Sequence, residues 1–242
     1  MTSGPAAREI MNGPVAPSLC RMGAAVSFAL LAYCVAAMFQ VMILGAKPLT
    51  AAEAFTLLET NRLAGLLRLD VLTVFALPLY YPFFLALAAV LWQVDGGKAA
   101  LSALLVFAGV TLVLATPTGL SMVPLSTKYA AAHDDTVRSQ LLAAGEAILA
   151  SDMWHGAGAL MGGVLTQTGA VLISIVMSRG GAFSKSTGWL GVIAHGLDLA
   201  HALLSLFFLP MGGLLLVIAG PLYPIWFFLV GRRLLRMART NG

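Results

Sequence analysis

The sequence predicts an all-α, polytopic membrane protein: six transmembrane helices in one bundle, with amphipathic helices in the first and third connections. Hydrophobic residues make up 60% of the chain and charged residues 10%, where a soluble domain of this size carries about a quarter charged. Mean hydropathy is +0.92. Six apolar runs approach or exceed the ~20 helical residues needed to cross a hydrocarbon core of about 30 Å. Helices are the economical choice, because an unpaired backbone group in lipid costs several kcal/mol.

The runs are 23–45, 71–94, 99–115, 156–177, 187–209 and 211–231. The first exceeds the usual hydrophobic stretch of a cleaved signal and has no clean A-x-A site after it. Its "LAYC" places bulky Tyr33 where a lipoprotein signal needs a small residue, so an uncleaved first helix is expected. The third is short and can continue through 116–123. Only "FFLPMGG" separates the last two, which requires a sharp turn around Pro210–Gly213. The organisation is therefore a tail at 1–21, a six-span domain at 22–237 and a short tail at 238–242.

Lys and Arg set the orientation. With the N-terminus inside, Arg8, Arg21, Lys98, Arg179, Lys185, Arg232, Arg233, Arg236 and Arg239 face the cytoplasm. Lys47, Arg62, Arg68, Lys128 and Arg138 lie outside, so the basic side holds both termini. The net charge of +4 arises from this bias, suits an anionic inner leaflet and gives no sign of nucleic-acid binding. Trp92, Trp154, Trp189 and Trp226 are expected in the interfacial belts. Cys20 and Cys34 are the only cysteines, and neither sits in a disulfide framework or motif.

Two connections carry helical signals. Thr50 and Glu53 have capping-box spacing ahead of Phe55, Leu58, Ala64 and Leu67, which predicts an amphipathic helix ending where the chain turns in at Asp70. In the third connection Asp134 or Asp135 starts a helix with the stripe Val137, Leu141, Leu142 and Ile148. Both helices are expected to cap the bundle; the functional alternative is a lid over an outward-facing pocket.

The order "LLRLDVLTVFALPLYYPFF", "LSTKYAAAHDDTVRSQLLAAGEAILA", "PIWFFLVGRRLLRM" resembles a family of bacterial multi-spanning membrane proteins designated as a domain of unknown function. The loop "LSxxYAAA…LLAAGEAxLA" and the final "IWxxLVGRRL" are its most specific parts, and the likeness runs from about Arg21 to Met237. It implies a six-helix bacterial inner-membrane protein, multi-pass, and no assigned activity. The histidines of "MWHGAGALMGG" and "HGLDLAHALL" are not part of that pattern.

The chemistry concentrates in "IAHGLDLAHALL", where His195, Asp198 and His201 recur at every third residue of an apolar run. Such positions drift ~60° per step, giving one slanted polar stripe. An Asp at a span centre costs roughly 2.5–3.5 kcal/mol on insertion scales and should face protein with a partner. Asp198 is expected to bond His195 or His201 as an i,i+3 neighbour and glue the helix to others. A proton relay or ligand-contacting stripe is the second reading.

A zinc site is the third reading, built from His155, His201, Asp70 and Asp152 entering at one face, as in membrane hydrolases that activate water. The chain lacks their paired H-x-x-x-H, and also H-E-x-x-H, G-x-S-x-G and a P-loop. His133 in "AAAHDD" is expected to be exposed. Gln40, Thr73, Thr111, Gln167 and Thr168 can bond within or across helices. Gly158 and Gly162, with Gly169 beyond them, mark a close helix crossing. Pro78 and Pro82 in "LPLYYPFF" and Pro221 and Pro224 in "GPLYPIW" set Tyr80 and Tyr223 beside kinks, an arrangement also found at transporter sites.

The leading expectation is thus a non-enzymatic protein that binds or moves a small lipophilic ligand at Asp198, His195, His201, Tyr80 and Tyr223, or serves an accessory envelope role, with no cofactor. The alternative is a membrane-embedded, His/Asp metal-dependent hydrolase or lipid-modifying enzyme using zinc. The lipid bilayer is the one expected partner on either reading.

Overall fold

The structure, a computed structural model, describes residues 17–207 and 209–240. Arg8, most of the 1–21 tail and the last two residues lie outside them. The described residues form helices and no strand: α1 Pro17–Leu44, α2 Ala51–Thr60, α3 Arg62–Arg68, α4 Val71–Ala76, α5 Tyr80–Leu114, α6 Met122–Ala131, α7 Asp135–Ala150, α8 Gly156–Arg179, α9 Lys185–Leu204, α10 Leu209–Ala219 and α11 Leu222–Thr240. Short 3-10 turns at Leu77–Leu79 and Gly119–Ser121 precede α5 and α6.

Four stretches are long and apolar enough to cross a membrane: Pro17–Leu44, Val71–Ala131, Gly156–Arg179 and Leu214–Thr240. The protein is an all-helical membrane protein. The second stretch is not one rod. Asp95, at φ −159° and ψ 84°, leaves the helical region and divides α5 at "VDGGK", between the two apolar runs 71–94 and 99–115. The expected continuation of the third span through 116–123 does not occur: the helix stops at Leu114, before Pro117, whose ring disfavours helix in the residue ahead of it.

The last two spans also differ from expectation. Helix α9 ends at Leu204, and the chain turns there, ahead of Pro210, which instead falls in the first turn of α10 where its missing N–H costs nothing. The run 211–231 is then interrupted at Gly220–Pro221 between α10 and α11. Proline cannot donate to the carbonyl one turn back and its ring crowds that carbonyl.

The chain divides into two compact units. Unit 1 comprises the described parts of Met1–Ala32, Leu79–Gly109 and Val164–Gly242; unit 2 comprises Tyr33–Pro78 and Val110–Gly163. In unit 1 the core is aromatic: Phe83 meets Trp226 and Phe227 edge-on, at ring centroids of 5.7 Å and 5.5 Å. Trp226 is fully buried there. Trp92 and Trp189 in unit 1, and Trp154 in unit 2, are exposed. Side chains tie the helices where they come close. The Ser102 hydroxyl donates to Gly169 O at 2.7 Å. A Cβ on Gly169 would lie 2.7 Å from Ser102 O, so only glycine lets these backbones meet.

Unit 2 holds the two connections, and each contains two helices where one was expected. Thr50 caps α2 by accepting from Glu53 N at 3.2 Å. Glu53 returns the contact one residue earlier than a capping box does, accepting from Leu49 N. Asn61 ends α2 and starts α3, its Oδ1 accepting from Ala64 N at 3.0 Å. In the third connection Asp134 caps α7, accepting from Thr136 N and Val137 N. These backbone donors hold the Asp134 carboxyl below the usual carboxylate range.

The short helices bury a core of their own: Ala51, Ala54, Phe55, Leu58, Leu69, Met122 and Leu149, with Leu142 and Ile148 packed against it. Burying each large side chain of this set is worth about 1.5–3 kcal/mol. Val137 is exposed, so the expected stripe on α7 holds only in its second half. The last turn of α1 closes at Gly45, whose φ of +87° suits glycine at a helix C-terminus.

Candidate functional site

Unit 1 contains the polar set that the stripe on α9 announced, but wired differently. Asp198 bonds neither histidine. Its Oδ2 accepts from Gln167 Nε2 at 2.5 Å, on α8, and from the Tyr223 hydroxyl at 2.8 Å, on α11. His195 Nδ1 donates to Gln167 Oε1 at 2.7 Å, because an amide oxygen only accepts. Gln167 therefore links imidazole to carboxylate, and one network joins three helices.

The expected His–Asp–His set is thus replaced by His195–Gln167–Asp198–Tyr223. The reason is geometric. Neighbours at i,i+3 on one helix compete with side chains from facing helices, which approach along the axis of the buried group. Gln167 belonged to the undistinguished polar residues of the sequence. Its signal was its depth in an apolar span, and its partner depended on the register of α8 against α9.

Burial grades across the site. His195 has no accessible surface, while Asp198, His201, Gln167, Tyr223 and Tyr80 are half-buried. The His195 ring lies edge-on to Tyr223 and Trp226, with centroids 5.0 Å and 4.8 Å away. Three buried nitrogens here make no hydrogen bond: His195 Nε2, His201 Nδ1 and Trp226 Nε1. A Cβ on Gly191 would come within 2.5 Å of Trp226 Nε1, so glycine is needed for that ring to pack.

The two P-L-Y segments behave alike. Pro78 lies in a 3-10 turn and Pro221 at the break before α11, so Tyr80 and Tyr223 each fall in the first turn of a new helix. Their rings flank Phe227: Tyr223 stacks on it and Tyr80 meets it edge-on, both at 6.4 Å. The arrangement can present a carboxylate, an amide and two tyrosine rings to a ligand within an apolar shell.

The residues of the zinc reading fall elsewhere. Asp70, Asp152 and His155 belong to unit 2, and His201 belongs to unit 1. Asp70 opens α4 in the left-handed region, φ 65°. Lys47 Nζ lies 3.0 Å from Asp70 Oδ2 and binds Asp152 Oδ2 as well. The other oxygen of Asp152 accepts from Trp154 N at 2.9 Å and meets His155 Nδ1 at 2.9 Å. A lysine ammonium thus holds both carboxylates that the metal reading would use. Among the described residues no three His, Cys, Asp or Glu side chains converge on a metal position. His133 is exposed, as expected.

No known protein family, curated protein or solved structure matches the chain.

Proposed function

We propose that the protein is a six-span bacterial inner-membrane protein, both termini cytoplasmic, that binds or moves a small lipophilic ligand without chemical conversion. The single observation behind the ligand site is the network His195–Gln167–Asp198–Tyr223, which brings four polar side chains from three helices together with a half-exposed edge. Polar residues at span depth are costly and mark substrate paths when they face a crevice. A few convergent polar groups in an apolar surround are the common form of a small-molecule site.

The six-span reading draws support from the break at Asp95, which makes two apolar helices of one stretch, and from α9, 20 residues long. The polar stripe lowers the hydropathy of α9 without shortening it. Orientation rests on the Lys/Arg bias, and bacterial origin on the family resemblance. Reporter fusions at Gly242 and within 130–135 are expected to report opposite compartments, with Gly242 cytoplasmic; matching compartments would remove one span.

Native mass spectrometry of the detergent-purified protein tests the ligand site. A discrete small-molecule adduct is expected on the wild type and depleted in the double variant Gln167→Leu, Tyr223→Phe. An adduct retained by that variant would place the ligand elsewhere. Metal analysis of the same material addresses the hydrolase alternative: stoichiometric zinc lost in both His155→Ala and His201→Ala would replace the present reading.

A further inference from the structure

We propose that the ligand taken at Asp198 is a lipophilic organic cation; this rests on reading the unit 1 network as a ligand site. The argument begins with charge. Both hydrogen bonds to Asp198 come from neutral donors, an amide and a phenol. Among the described residues no Lys or Arg pairs with it; the acid–base pairs formed are those of Lys47, Lys98 and His155. His195 and His201 lie three residues either side of it on α9, neither bonds it, and His195 Nε2 and His201 Nδ1 make no hydrogen bond.

A carboxylate in an apolar surround is costly unless a cation meets it. Lys47, by contrast, supplies unit 2 with its cation from within the chain. Unit 1 leaves that role to something that enters.

The surroundings define what can enter. Asp198 is only partly buried. Beside it stands the ring of Tyr223, which stacks on Phe227, and Tyr80 meets the same Phe227 edge-on. Aromatic faces attract cations through the ring quadrupole, most strongly where water is excluded. A small inorganic cation needs several oxygen ligands to replace its hydration shell. Here one carboxylate, one amide already engaged on both its atoms, and aromatic carbon meet instead. A cation whose charge is spread over an apolar body matches that set. The matched P-L-Y breaks begin two helices whose tyrosines, Tyr80 and Tyr223, both flank Phe227.

The test uses the full chain in detergent, with radiolabelled tetraphenylphosphonium as the cationic probe and neutral triphenylphosphine as its uncharged counterpart. One tetraphenylphosphonium per chain is expected, poorly displaced by triphenylphosphine. Asp198→Asn is expected to weaken binding about tenfold or more, as when one member of a buried charge pair is neutralised, and Asp198→Glu to retain it. Thermal unfolding of both variants checks that they fold. If triphenylphosphine binds as well as the cation and Asp198→Asn changes neither, the site takes neutral lipophiles: the cation inference is overturned and the ligand site stands. If neither probe binds and the purified protein carries no adduct, the ligand site itself is refuted.

Discussion

The most informative perturbation of the network is at Asp198, because its two donors share one oxygen. Gln167 Nε2 and the Tyr223 hydroxyl both reach Oδ2. Asp198→Asn can place its amide oxygen there and keep both bonds, its NH2 taking the place of Oδ1. Asp198→Leu removes the acceptor altogether. The Tyr223 hydroxyl then retains only the weak contact to Gln167 Oε1, at 3.4 Å, and Gln167 Nε2 loses its partner. An unsatisfied buried polar group costs about 1–3 kcal/mol, which for two donors suggests as much as ~6. Hydrogen bonds between helices in membranes average nearer 0.6 kcal/mol, because the unfolded helices find other partners in the bilayer. The lower scale governs here, since Tyr223 and Gln167 are half-buried, so a loss of about 1–3 kcal/mol is expected for Leu. At ~2–4 °C per kcal/mol for a chain of this size, that is a fall in Tm of about 2–12 °C. A thiol-reactive fluorophore reads it directly: Cys20 is 1% exposed and becomes reactive when unit 1 opens. Asn should stay within about 2 °C of wild type on the same scale. Equal loss in Asn and Leu would show that charge rather than hydrogen bonding holds the set. No loss in either would show that Asp198 does not bond across the helices.

Three further outcomes follow from unit 2. Gly119→Ala places a Cβ 2.1 Å from Leu69 O, a backbone atom that cannot step aside; hydrogen exchange through α3 and α6 should rise, and unchanged exchange would contradict the close approach. Lys47→Met strands Asp152, whose side chain is 3% exposed, although Trp154 N and His155 still bond it. Breaking a fully buried pair costs about 3–5 kcal/mol, and the partial exposure of Lys47 reduces this to ~1–3; adding Asp152→Asn should recover most of the loss in a denaturation series. Because its capping bonds hold the Asp134 carboxyl low, the folded value lies below the unfolded one of about 3.9. Its stabilisation is therefore present above that pH and lost as pH falls through the folded value. Amide NMR signals of Thr136 and Val137 should report this titration and become insensitive in Asp134→Asn.

Local and compositional features were legible in the sequence because their causes are local. Apolar run length, the caps at Thr50 and Asp134, the break at "VDGGK" and the prolines before Tyr80 and Tyr223 act through a few neighbouring residues and solvent. These fixed an all-helical membrane protein and most helix starts. The errors share another origin. Asn61 divides a connection read as one helix, since its side chain serves the second segment better than an interior position. Helix α9 stops at Leu204 although hydropathy runs on, because hydropathy reports solvent preference and not where a backbone turns. The bonding of the site lay beyond sequence altogether. That Asp198 takes Gln167 and Tyr223 over its own helical neighbours, that Trp226 is buried against His195, and that Lys47 claims both Asp70 and Asp152 depend on how helices distant in the chain are rotated and registered. Rotating α8 by one residue, about 100°, would carry Gln167 away from α9 without changing any feature the sequence displays.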